Sequence, residues 1–246
     1  MPIDTVIIMG SGPGVLDIKQ IKRGPSQTFV AINNAWRVRS DWDWLIHPDD
    51  FPQDRQPPSR DQNQKIVRAQ DYVPIQNRYG GFVYAGGTMA FTAAYWALGA
   101  FRPKVIAMIG CDMIYPKQGP THFYGTGAPD PLRNDVTLRS LEAKSARLWL
   151  LAARQDCAVV NLSTACCSRL LYPRAKFSNL SCITPPLWQV EDVARALTAE
   201  IKAGYFVASG EYWKEQHLFD VDVIDALDRL WLTAAEQSSL AASCTI

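Results

Sequence analysis

The chain carries no excess of charge: 25 Lys and Arg face 24 Asp and Glu over 246 residues, a formal net charge of +1. A nucleic-acid partner or a membrane surface held by bulk electrostatics is therefore not expected. Paired cysteine spacing is missing too. The six cysteines, Cys111, Cys157, Cys166, Cys167, Cys182 and Cys244, form no CxxC pair and lie mostly among apolar or small residues. Reduced thiols are expected, not a zinc site. No apolar run is long enough to span a bilayer, and Met1 leads straight into a strand pattern without a basic and apolar leader. A cytoplasmic location is the expectation. Histidine is scarce, with three in the chain.

What the chain does have is apolar content, 48% of 246 residues, enough for a full core in one domain. The most informative stretch is 104–126, KVIAMIGCDMIYPKQGPTHFYGT. Val105 to Ile109 is a continuous apolar run, as expected for a strand covered on both faces. Gly110 lets the backbone turn, so Asp112 and Tyr115 are expected beyond the carboxyl end of the sheet, where open α/β sheets bind ligands. Asp112 taken alone also reads as a cap or turn residue. His122 follows in a polar, glycine-rich loop that is unlike the setting of a core histidine, and imidazole suits general acid or base work.

Upstream, Thr5 to Met9 is a β-branched strand followed at once by Gly10, Ser11, Gly12, Pro13 and Gly14. Such a turn offers amides to a phosphate, although it is neither a full GxGxxG nor a Walker loop and also reads as a plain tight turn. Gln27 to Asn34 is a second strand ending in Asn33 and Asn34, which carry donors and acceptors. Asp41 to Pro48 predicts a third strand, with His47 at its end. Residues 49–70 are polar and proline-rich and read as a surface loop; 72–83 is mixed, with room for a short strand. A buried helix is predicted from Thr88 to Gly99, its Gly87-Thr88 start being either an anion site or a simple cap. A further helix is predicted over 135–155, with Arg139, Lys144 and Arg147 on a solvated face, then a strand at 158–162. Beyond Thr184-Pro185-Pro186, 190–203 and 221–235 predict amphipathic helices, with His217 between them not selected as a functional residue.

The alternation of strand and helix predicts an α/β fold: a mostly parallel sheet flanked by helices over residues 1–183, with a helical C-terminal extension over 184–246. Aromatic residues in that extension raise the expectation of a homo-oligomer.

The order of Gly10 to Gly14, Asn33 and Asn34, a Gly-Gly-Thr helix start, Ile109-Gly110-Cys111-Asp112-Met113, Tyr115, and His122 with Gly125 resembles the bacterial sialyltransferases of glycosyltransferase family 42 and their relatives of unassigned function. The resemblance covers roughly residues 5–170. It implies a Rossmann-like domain that binds a CMP-linked sugar, without a metal or other cofactor, and transfers the sugar with inversion to a glycan acceptor. Gly10, Ser11, Gly12, Pro13, Asn33, Asn34 and His47 would then hold the nucleotide, and Gly87 and Thr88 would lie along the donor. Tyr115 would assist the leaving phosphate near Asp112, and His122 would be the base. Ser11 and His47 stand where the family usually has asparagine, and Tyr115 is displaced by one residue from the GlyXxxAsp motif. The chain also resembles archaeal pterin diphosphokinases, which implies magnesium held by Asp112 with Asp17, Asp49 or Asp50. A nucleotide-binding module without catalysis is the third alternative.

Overall fold

The computed structural model describes residues 3–126 and 133–243. Six strands form one parallel sheet: β1 (Thr5–Met9), β2 (Gln27–Ile32), β3 (Trp44–Ile46), β4 (Lys65–Val67), β5 (Val105–Ile109) and β6 (Ala158–Asn161). Their order is β4-β3-β2-β1-β5-β6, so the first strand is central and the direction of winding reverses beside it. The chain is therefore an α/β protein with a Rossmann-like sheet. Among the described residues no helix is long and apolar enough to cross a membrane.

The two faces of the sheet are covered differently. Val6, Ile8, Val30, Ile32, Ile106 and Met108 face a core made with the α-helices: α1 (Ala69–Arg78), α2 (Phe82–Ala85), α3 (Met89–Phe101), α4 (Leu141–Ala153), α5 (Val190–Ala203) and α6 (Val221–Ser243). Ile7, Met9, Phe29, Ala31, Ala107 and Ile109 face the other way, onto Val15, Ile18, Ala35 and Val38. There the covering segments are 3-10 helices, Pro13–Gln20 and Asn33–Arg37. Val15 and Ile18, like Ala35 and Val38, lie three residues apart and so fall on one side of a helix with three residues per turn.

Several expectations are corrected. Residues 49–70 hold a strand, β4, as well as loop. The mixed stretch 72–83 is helical, α1 and α2, and α1 carries Pro74 in its interior. The helix expected to stop at Gly99 runs on to Phe101, ending on Arg102 at φ 49°. Gly99 is a packing residue: a Cβ there would lie 2.5 Å from Ile75 Cγ2 and 2.6 Å from an Arg78 nitrogen.

The largest correction concerns charge. Lys144 and Arg147 are not on a solvated face; their residues are 3% and 1% exposed. Lys144 Nζ pairs with Asp228 Oδ1 at 2.7 Å, and the Arg147 guanidinium donates to both Glu200 carboxylate oxygens at 2.7 and 2.8 Å. Arg147 also donates to the Tyr95 hydroxyl, and Trp231 Nε1 donates to Glu200 at 2.7 Å. Val193, Ala196, Ile224, Leu227 and Trp231 of α5 and α6 share the core of the sheet's helical face. The partner carboxylates arrive from helices far along the chain, which the periodicity of α4 does not reveal. Arg139, by contrast, is solvated and pairs with Asp225 at 2.6 Å.

Removing one member of a buried pair strands the other charge. Glu200→Gln is expected to lower stability by about 3–5 kcal/mol in urea unfolding, whereas Asp225→Asn, which breaks an exposed pair, should cost roughly 0.2–1 kcal/mol. Equal costs would contradict this account.

Candidate functional site

At the carboxyl ends of β1 and β5 the chain turns twice within hydrogen-bonding distance of itself. Gly10 N donates to Ile109 O and Gly12 N donates to Gly110 O, both at 2.8 Å. Side chains would prevent this approach. A Cβ on Gly10 would collide with the Gly110 carbonyl and Cys111 Sγ, and one on Gly12 would lie 2.8 Å from the same carbonyl. Gly110 has φ +69°, and a Cβ there would lie 2.7 Å from Val15 Cβ. These glycines are thus needed for loop packing whatever the loop binds. The Gly12 amide is consumed by it, while the amides of Ser11 and Gly14 donate to no protein acceptor among the described residues.

Beside this crossing lies a cleft of about 430 Å³. The glycine loop, Asn33 and Asn34, residues 110–115, and Thr88 with Ala90 line it, and Thr121, His122 and Tyr124 form part of its lip. Of the residues selected from sequence, Gly10, Ser11, Gly12, Pro13, Asn33, Asn34, Thr88, Asp112, Tyr115 and His122 are brought together here. His47 and Gly87 are not among its lining.

Asn33 adopts φ +50°, a left-handed conformation that asparagine tolerates, and Asn34 is 4% exposed. The Oδ1 atoms of both are buried without a hydrogen-bond partner. A buried unpaired acceptor is costly, and both asparagines line the cleft. Thr88 Oγ1 accepts from Phe91 N at 3.3 Å and so caps α3. The amino end of that helix meets the cleft at Ala90, bringing the positive end of its dipole there.

The lip is pinned to the glycine loop, since Phe123 N donates to Ser11 O at 2.9 Å. His122 Nδ1 lies 2.8 Å from Thr121 Oγ1, and its ring stacks on Tyr124 with centroids 5.0 Å apart. Both neighbours help to orient the ring. Asp112 is engaged as well. Its Oδ1 accepts from Asn161 Nδ2 at 2.9 Å and lies 3.7 Å from Arg174 NH1, which ties the ends of β5 and β6 together.

His47 is 1% exposed, with Nδ1 2.8 Å from Pro48 O and its ring against Phe51. It stands behind Phe51, which does line the cleft. Gly87 belongs to a separate polar cluster: its amide donates to Thr137 Oγ1 and its carbonyl accepts from Arg133. In the same cluster Asp135 accepts from Tyr212 at 2.7 Å and from Thr137. Burial pushes the Asp135 carboxyl up, but the hydrogen bonds from Tyr212, Thr137 and Arg133 outweigh it and hold it below the usual carboxylate range.

Sequence reasoning missed Phe51, Arg55, Tyr124, Cys166 and Cys167, all of which line the cleft. Arg55 is held through its carbonyl, which accepts from Trp36 Nε1 at 2.9 Å; the polar composition around it concealed the position. No protein-family model, curated protein or solved structure matches the chain. A larger hollow of about 530 Å³ borders α1, α4 and α5, but its Arg147 and Glu200 are spent on each other. The cleft at the strand crossover is the candidate site.

Two outcomes follow. Gly110→Ala, which combines overpacking with an unfavourable φ, should cost about 1–3 kcal/mol in denaturant unfolding. The Asp135 carboxyl, depressed in the folded state, contributes stability above its unfolded pKa of about 3.9 that is lost as pH falls through the lower folded value. Asp135→Asn should therefore flatten the acid side of a stability-against-pH profile below about pH 4 and leave it unchanged in slope above about pH 6.

Proposed function

We propose that the cleft binds a CMP-linked sugar and that the protein transfers the sugar to an acceptor hydroxyl with inversion, as a glycosyltransferase similar to the bacterial sialyltransferases. The observation that carries this reading is the pair of buried, unpartnered Oδ1 atoms of Asn33 and Asn34, in a cleft that also contains Tyr115 and His122. Cytosine presents an exocyclic amino group, a donor suited to amide oxygens. The phosphate would be met by the amides of Ser11 and Gly14, the amino end of α3 and the Arg55 cation.

In the transfer, the acceptor oxygen forms a bond to the anomeric carbon from the face opposite the phosphate. His122 takes the hydroxyl proton, the bond from anomeric carbon to phosphate oxygen breaks, and CMP departs with its developing charge bonded by the Tyr115 hydroxyl. Thr121, at Nδ1, positions the imidazole for this step.

The magnesium-dependent diphosphokinase reading finds less support in the carboxylates. Asp112 is bonded to Asn161, Asp17 accepts from Thr164 and Asp49 accepts from Ala69 N at the start of α1. Among the described residues no three metal-ligating side chains converge.

CMP without magnesium at a hundredfold excess over Kd should stabilise the fold by about 2.7 kcal/mol, a Tm increase of roughly 5–10 °C at this size. Asn34→Ala should weaken that binding about tenfold. His122→Ala should keep the CMP shift and lose turnover of CMP-sugar by about 100-fold or more. A shift produced by ATP with magnesium alone would favour pyrophosphoryl transfer, and CMP binding with no turnover across donors would favour a non-catalytic module.

A further inference from the structure

Two adjacent thiols stand on the wall of the cleft. Cys166 and Cys167 follow β6, both are exposed, and both line the cleft. Their sulfur atoms are 3.7 Å apart, with Cys166 donating its thiol hydrogen. Their setting differs from that of the other described cysteines. Cys111 and Cys157 are buried, and burial pushes both thiols up and out of reach of small reagents. Cys182 is exposed and lies 3.8 Å from the Ser181 hydroxyl, with no second thiol beside it among the described residues.

We propose that Cys166 and Cys167 form a thiol–disulfide modification site on the wall of the cleft, which a small-molecule disulfide oxidises to a vicinal disulfide. The chemistry is two exchanges. One cysteine thiolate attacks a sulfur of the small disulfide, that S–S bond breaks, and one small thiol leaves with a proton. The neighbouring cysteine then loses its proton and attacks the protein sulfur of the mixed disulfide, expelling the second small thiol. Two protein thiols are oxidised by two electrons, and one small disulfide becomes two small thiols.

The geometry favours the second step. A resolving sulfur already stands 3.7 Å away, close to the bond of about 2.05 Å that it would form. Both thiols are exposed, so either can make the first attack and the other then resolves the mixed disulfide. Adjacent residues hold their Cα atoms roughly 3.8 Å apart, short of the usual disulfide range of about 4.4–6.8 Å. The closed ring is therefore strained and easily reduced, the property of a reversible bond and not of a structural one.

The site stands on this geometry alone and does not depend on what the cleft binds. The test treats the reduced full chain with oxidised glutathione, blocks remaining thiols by alkylation and maps the peptides by mass. The expected result is loss of two hydrogens from the peptide containing Cys166 and Cys167, with no glutathione retained there, while Cys182 carries a glutathione adduct. In the exposed-site variant Cys167→Ser, Cys166 should instead keep the adduct, because the resolving thiol is gone. A small excess of dithiothreitol should restore both thiols. A stable glutathione adduct on either cysteine of the unmutated chain, without the internal bond, would overturn the proposal. So would a pair left unmodified under conditions that modify Cys182.

Discussion

Everything at the carboxyl edge of this sheet depends on two stretches of backbone lying against each other with no side chain between them. The parallel pairing of β1 with β5 does not stop at the strand ends; it continues through Gly10 with Ile109 and Gly12 with Gly110. That continuation lets the 3-10 segment begin immediately, puts Val15 against Gly110, and sends residues 111–115 across the mouth of the crossing. A Rossmann-like sheet opens a crevice wherever its winding reverses. Here the two loops that would otherwise flank the crevice are bonded together beneath it.

A second constraint acts at a distance. The buried ion pairs of Lys144 and Arg147 join α4 to α6 and α5, and the Tyr84 hydroxyl adds a bond to the Glu200 carbonyl. Buried charges that are mutually satisfied bring little net stability compared with apolar packing, but they reject alternative placements of the helices that carry them. Asp228 illustrates the cost, since burial pushes its carboxyl up against the opposing influence of Lys144, and its Oδ2 atom is buried without a partner. The helical extension is held in one register against the sheet's helical layer, and the cleft side is left to shorter, tighter turns.

How much of this could be read from the residues follows from how local each cause is. The runs TVIIM, VIAMI and AVVN announce β1, β5 and β6 because both faces of those strands are buried. Asn33, Tyr115 and His122 stood out because polar groups just past such strands must gather at one edge. β4 escaped notice because three residues between polar loops carry no period. The same polar loops hid Phe51 and Arg55. The burial of Arg147 was not legible because its carboxylate lies 53 residues away, and the bonds of Gly87 to Thr137 and Arg133 were not legible because those partners come from another loop.

The margins of the sheet have a consequence of their own. β4 ends it on one side with three residues, and Lys65 there reaches over the Trp44 ring. On the other side, Asn161 of β6 exchanges backbone hydrogen bonds with the 173–175 segment. A growing fibril or a strand-swapped dimer needs a long, flat, open ladder of amides and carbonyls, and both borders are too short or already occupied to offer one. The sheet is thereby self-limiting even at high concentration.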